Sequence, residues 1–221
     1  MEQAIMKGYK GIGMEGWLAK WYAANTGKDM TQYRVLARSL ADDLAPGSAV
    51  LEVAPGPGYL SIDLAKTGKA SVTGLDISKS FVEIARKNAE RERVTVDFQL
   101  GNASAMPFPA DSFNLVVCRA AFKNFSEPVK ALAEMHRVLK PGGKALVIDL
   151  RKDASVRDID THIENAGVSW VSGIFMKWTF RTMLLKRAYT KAQFQEFISQ
   201  TAFQKSEIRA DGIGFEISLV K

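Results

Sequence analysis

A chain of 221 residues fits one domain of ordinary size, and 47% hydrophobic residues suffice for a single core. With 24% charged residues the composition is neither disordered nor membrane-spanning, and a lone cysteine excludes an internal disulfide and suits a reducing compartment. The net charge of +6 is spread along the chain, so it points only weakly to an anionic partner such as nucleic acid.

Residues 1–44 are helical in flavour and rich in aromatics, with Tyr9, Trp17, Trp21, Tyr22 and Tyr33. They hold no apolar signal core, which reads as a cytoplasmic protein. Trp17, Trp21 and Tyr22 recur at helical spacing, the pattern of core residues. From Ala49 onward strands alternate with helices. "AVLEVA" is a short apolar run before glycines and predicts a buried parallel strand. Tyr59 to Lys66 places Leu60 and Leu64 on one helical face. "ASVTGLD" is a second strand. The next helix, "SKSFVEIARKNAERER", has Ser80 and Glu83 at capping-box spacing and Phe81, Ile84 and Ala85 on one face. "VTVDFQL" alternates, with Val94, Val96, Phe98 and Leu100 on one side, and predicts a third strand. "FNLVVC" is a fourth. "SEPVKALAEMHRVLK" predicts a helix that starts at Ser126, takes Pro128 into its first turn and stops at Pro141-Gly142-Gly143. "KALVID" is a fifth strand.

An insertion follows at 154–188. Its most apolar stretch is interrupted by Lys177 and Arg181 and is no clean membrane span. "GVSWVSGIFMKWTF" is nevertheless too apolar for an exposed loop, so it must bury something. A lid over an apolar substrate ranks first, a homodimer contact second and a membrane-surface contact third. In the tail, Thr190 and Gln193 cap a helix carrying Phe194, Phe197 and Ile198. "KSEIRA" and "GFEISLV" then flank Asp211-Gly212, and so short a turn forces an antiparallel pair. The whole pattern predicts an α/β fold: a Rossmann-like, doubly wound, mostly parallel sheet of seven strands with an antiparallel C-terminal edge hairpin. Within a single domain, 1–44 is expected to cover the site and 45–150 to hold the cofactor. Residues 154–188 would form the lid, and 189–221 the last helix and hairpin.

Ligands of such sheets bind at the carboxyl ends of the strands, where the strand order reverses. Glu52 and the bare loop Ala54 to Gly58 end the first strand. Asp76 ends the second, where a carboxylate can accept hydrogen bonds from both hydroxyls of a ribose. "GNASAMPF" follows the third and "CRAAFKNF" the fourth. The spacing Gly56-x-Gly58-x-x-Ser61 comes close to a dinucleotide fingerprint. Glu52, however, would repel a pyrophosphate by several kcal/mol, by order of magnitude, at low dielectric. A cationic nucleoside would be drawn in. Ribose, adenine and positive charge together describe S-adenosylmethionine.

"VLEVAPGPG", "GLDIS", "GNASAMPFPADSFNLVVC" and "MHRVLKPGG", in that order and spacing, resemble the class I S-adenosylmethionine-dependent methyltransferases. The likeness is to their small-molecule branch, which includes the quinone-biosynthesis C-methyltransferases. It implies that Gly56 and Gly58 pass under the methionyl and ribose portions and that Asp76 binds the ribose hydroxyls. It also implies that Ile77 flanks the adenine, that Asn102 and Ala103 meet its edge, and that Arg119 lies beside the methyl group. Tyr22 and Tyr33 are the expected cover. Two positions depart from the family. Its first loop glycine is Ala54, tolerable if φ is negative, and its acid after the third strand is Asn102, which in a second reading merely caps a turn.

The expected activity is methyl transfer by direct displacement to a small, apolar or aromatic acceptor. RNA methylation is a rival, opposed by the lack of an Asn/Asp-Pro-Pro-aromatic motif after the fourth strand. A non-catalytic S-adenosylmethionine-binding module is another, and a nicotinamide oxidoreductase a third. Cys118 reads as a buried strand residue, His136 as a packed core histidine, and His162 as a general-base candidate resting on one histidine alone. No cluster has metal-ligand spacing.

Overall fold

The computed structural model describes residues 8–10, 13–26, 30–165, 177 and 184–221. Two helices, α1 (Gly16–Thr26) and α2 (Thr31–Asp42), precede β1 (Ser48–Val53). The alternation continues with α3 (Tyr59–Lys66), β2 (Ala70–Asp76), α4 (Lys79–Arg91), β3 (Asp97–Leu100), β4 (Phe113–Arg119), α5 (Pro128–Val138) and β5 (Leu139–Leu150). Helices α6 (Val156–Asn165) and α7 (Lys191–Ser199) precede the closing hairpin, β6 (Lys205–Asp211) and β7 (Gly214–Val220). The seven strands lie in the order β3-β2-β1-β4-β5-β7-β6. All neighbours are parallel except β5–β7 and β6–β7.

Period-two alternation distributes the core. Val50 of β1, with Leu115 and Val117 of β4, packs under Leu60 and Leu64 of α3 and Ala37 of α2. Leu51, Val53, Val116 and Cys118 face the other side, against Leu132 and Met135 of α5 and Phe194 of α7. Both faces of the central strands are thus dry, which is why β1 reads as an almost unbroken apolar run. Glu52 shares the face of Val50 and so points toward α3. β1 pairs with β2 on one side and β4 on the other, so the order reverses here and a crevice opens beyond their carboxyl ends.

Four expectations are corrected. The cap of α4 is Ser78, whose hydroxyl accepts from the Phe81 N–H at 3.1 Å; Ser80, two residues on, instead meets Glu15. α5 ends at Val138, with Glu127 before Pro128 at its start, and Lys140 to Gly143 join β5 through an irregular register against β4. Gly143 fits there because an added Cβ would lie 2.8 Å from the Lys140 carbonyl oxygen. β3 is only four residues long and Leu100 is 42% exposed, because its one outer neighbour is solvent. Trp17 and Trp21 are 76% and 59% exposed, so the N-terminal helical spacing does not mark core. Thr190 and Gln193 do form the expected capping box. Much of the 154–188 insertion lies outside the described residues. Among the described residues no helix is long and apolar enough to cross a membrane.

Candidate functional site

A cavity of about 760 Å³ occupies the crevice. That is toward the upper end of the ~300–1,000 Å³ range of small-molecule sites. Of the ten residues singled out from the sequence, Tyr22, Glu52, Ala54, Gly56, Asp76, Ile77, Asn102, Ala103 and Arg119 line it. Gly58 stands behind the wall. It opens α3 at φ 81, and an added Cβ would lie 2.6 Å from the Phe98 ring and 2.9 Å from Ala85. Its glycine is required by close helix packing.

Asp76 ties the loop to the next helix. Its Oδ2 accepts from the Gly56 N–H and its Oδ1 from the Ser78 N–H, both at 2.9 Å. A carboxylate has about four acceptor sites, so some capacity remains for a ligand. Glu52 accepts the hydroxyl of Ser61, which α3 presents over the face Glu52 occupies. Both acids are nearly enclosed, at 3% and 5% exposed. Burial pushes the Glu52 carboxyl up to about 7; Ser61 and Arg119 pull it down, and the charge of Asp76 adds to the rise. Burial likewise pushes Asp76 up to about 6, opposed by the N–H groups of Ser78 and Gly56 and reinforced by Glu15. The two carboxylates therefore share one field. Burial lifts the Tyr22 hydroxyl to about 12, which keeps it neutral.

This has a measurable consequence. Between pH 4.5 and 7 the folded chain holds protons on Glu52 that the unfolded chain has released, so stability falls as pH rises through that window. The loss should be on the order of 2–3 kcal/mol for this one group. Urea midpoints across pH 5 to 8 should show wild type losing stability relative to Glu52→Gln; parallel curves would contradict the burial of this charge.

Ala54 has φ 58, a left-handed conformation, and so corrects the expectation of a negative angle. The turn is held there by its N–H, which donates to the Leu75 carbonyl at 2.8 Å. An L-residue loses about 1–2 kcal/mol in this region, while glycine returns about 0.4–1 through the unfolded state. Ala54→Gly should therefore raise the melting temperature by a degree or two; a drop would show that the turn is not strained.

Asn102 closes a turn and also lines the cavity. Its Oδ1 accepts from the Ser104 N–H at 2.8 Å, closing a turn, and its amide also lies on the cavity wall, against Gly8. Arg119 stands over the Tyr33 ring at 4.4 Å and donates to the Gln32 Oε1 at 3.2 Å. Tyr33 and Tyr22 both reach the wall, and Tyr22 meets the Phe81 ring edge-on. Cys118 is fully buried, and burial raises its thiol far above the ordinary value, so it is no nucleophile.

Other wall residues were invisible in the sequence. Glu15 accepts from the Lys79 and Ser80 N–H groups at 3.0 and 3.1 Å, hanging the N-terminal segment on the first turn of α4. Lys10 N–H donates to the Asn124 carbonyl and Ser126 N–H to the Gly8 carbonyl, which pins the segment across the tip of β4. Lys123 is buried and reaches Asp149 at 2.9 Å. His162, Leu184 and Arg187 bring the ends of the insertion to the wall. Partners 26 or more positions apart leave no local pattern.

A family model described as a methyltransferase domain matches residues 51–147. The demethylmenaquinone methyltransferase of Chlorobaculum parvum is 31% identical over 184 residues, covering 79% of this chain and 75% of that one. The ubiquinone/menaquinone biosynthesis C-methyltransferase of a Ruegeria species is 35% identical over 122 residues, covering 53% of this chain and 49% of that one. The chain thus spans three quarters of one such relative and about half of the other. A Methanococcus maripaludis structure assigned to the S-adenosyl-L-methionine-dependent methyltransferases superposes with a TM-score of 0.74 at 21% identity, covering 96% of this chain and 95% of that one. At that identity the likeness speaks to the fold.

Proposed function

Since this chain belongs to the class I S-adenosylmethionine-dependent methyltransferases, we propose that it methylates a small aromatic acceptor of the hydroquinone type, at a ring carbon. The observation that carries the reading is the pair of buried carboxylates, Glu52 and Asp76, on one cavity beside a loop of alanine, prolines and glycines. The names of the relatives supply the acceptor class, and the aromatic wall suits it.

The donors fit the cofactor. The acceptor capacity left on Asp76 suits a ribose diol. Ile77 and Ala103 offer apolar contact to the adenine, and the Asn102 amide offers polar contact at its edge. Gly56 keeps the loop low enough for close approach, with Ala54 beside it adding only a methyl. Glu52 supplies negative potential for the positive charges of the methionyl part, and a close pair at low dielectric is worth several kcal/mol, by order of magnitude. Tyr22 covers the site from α1. When bound, S-adenosylmethionine supplies a methyl carbon activated by its sulfonium. The chain's contribution is then to align an acceptor with that carbon and to exclude water, which is where displacement of this kind gains most of its rate. Arg119, stacked on Tyr33, borders the place of transfer.

The 154–188 insertion is assigned as the lid. His162, Leu184 and Arg187 from its two ends on the cavity wall support that role over a homodimer or membrane contact. A cytoplasmic location is proposed from the single cysteine. The test is product analysis by mass spectrometry after incubation with S-adenosylmethionine and a panel of 1,4-naphthohydroquinone, catechol, a thiol and tRNA. Ring-methylated naphthohydroquinone is expected. Methyl transfer to tRNA alone, or none with cofactor bound, would overturn the acceptor assignment.

A further inference from the structure

The charges on the cavity wall are sorted. Its carboxylates, Glu15, Glu52 and Asp76, sit on the N-terminal segment and at the tips of β1 and β2. Its basic side chains, Arg119, Lys123, His162 and Arg187, sit at the tip of β4 and on the insertion. Tyr9 marks the boundary. Burial raises its hydroxyl, Arg187 pulls it down, and Asp76 pushes it further up. The tyrosine is held in place by its bridge to Phe125.

The basic groups differ in what they are free to do. Lys123 is committed to Asp149 at 2.9 Å and to the Ala120 carbonyl. Arg119 is committed to Tyr33 and Gln32. Arg187, among the described residues, makes no hydrogen bond or ion pair. A guanidinium presents a planar fork of donors and no acceptor. Among the described residues, the Tyr9 hydroxyl feels the charge of Arg187, His162 lines the same cavity, and the Lys123–Asp149 pair closes the tip of β4. None of these supplies a free negative charge.

We propose that Arg187 binds the acceptor as an anion, holding an ionised aromatic hydroxyl at the basic end of the cavity while the cofactor lies at the acidic end. This rests on the methyltransferase reading and adds the acceptor's reactive form. A cation beside the hydroxyl favours its ionised state. Ionisation places electron density on the ring carbon ortho to the one that bears the oxygen. That carbon's electron pair forms the new bond to the methyl carbon, the carbon–sulfur bond breaks with its pair passing to sulfur, and the ring proton leaves to water. Opposite ends of one cavity thus prepare the two partners with opposite charge.

The test uses 4-nitrophenol, whose ionised form absorbs in the visible, with the full chain saturated by S-adenosylhomocysteine. In wild type the phenolate should bind at least about tenfold tighter than the phenol, seen as a bound-probe pKa lowered by about one unit. Arg187→Met should abolish that preference, Arg187→Lys should keep part of it, and affinity for S-adenosylhomocysteine should stay the same in all three. No binding of the probe to the loaded wild type, or an unchanged preference in Arg187→Met, overturns the proposal. Failure of S-adenosylhomocysteine itself to bind would instead strike the parent reading.

Discussion

Lys123→Met should cost the fold about 3–5 kcal/mol, one of the largest losses available to a single substitution in this chain. The side chains of Lys123 and Asp149 are 8% and 1% exposed, and the ammonium lies 2.9 Å from the Asp149 Oδ1. Asp149 also accepts from the backbone N–H groups of Lys123 and Leu150, at 2.8 and 2.7 Å. Removing the ammonium leaves a buried carboxylate with dipoles but no counter-charge. It also frees the Ala120 carbonyl, which the ammonium holds at 2.5 Å while Ala120 sits at φ 58. Adding Asp149→Asn removes the stranded charge and keeps an acceptor, so the double variant should recover a large part of the loss. Urea unfolding of both reads this directly. A single-variant loss under about 1 kcal/mol would mean that water reaches the pair.

Asp76→Ala should weaken cofactor binding at least about 100-fold. Two hydrogen bonds to a charged acceptor are worth about 1.5–3 kcal/mol each. The same change strands the Gly56 and Ser78 N–H groups, so the loop that shapes the site should loosen with it. Asp76→Asn separates the two effects. Its one amide oxygen can keep only one of the loop bonds, and the charge is gone. Isothermal titration with S-adenosylhomocysteine measures the affinity, and hydrogen exchange at residues 54–58 measures the loop. Unchanged affinity in Asp76→Ala would remove Asp76 from the site.

What could be read in the sequence follows from what is local. The strands of the parallel core are short apolar runs because both sheet faces are covered, and the turns between them carry glycine and proline. Thr190 and Gln193 could be placed because a capping box spans four residues. Glu52 and Asp76 could be placed because a strand end beside a glycine loop has one position in this fold. Ser78 and Ser80 could not be told apart, since either can cap in "ISKSF". The helix before β5 reads too long because Pro141-Gly142-Gly143 serves equally as a helix stop and as a strand irregularity. Trp17 and Trp21 mislead because α1 covers a cavity on one side and faces solvent on the other, so apolar spacing there does not measure burial. Glu15, Lys123 and Arg187 came into view only with the fold, since contacts across the sheet tips assemble them.

The sharpest single measurement is a calorimetric titration of the wild-type chain near pH 7.5 with S-adenosylmethionine and NAD in parallel. A cavity whose nucleoside end is walled by buried acids should take up the cationic sulfonium nucleoside and leave NAD unbound. Binding of NAD as tight as that of S-adenosylmethionine would show that these carboxylates do not set the charge of the ligand, and the reading of the site would fall with them.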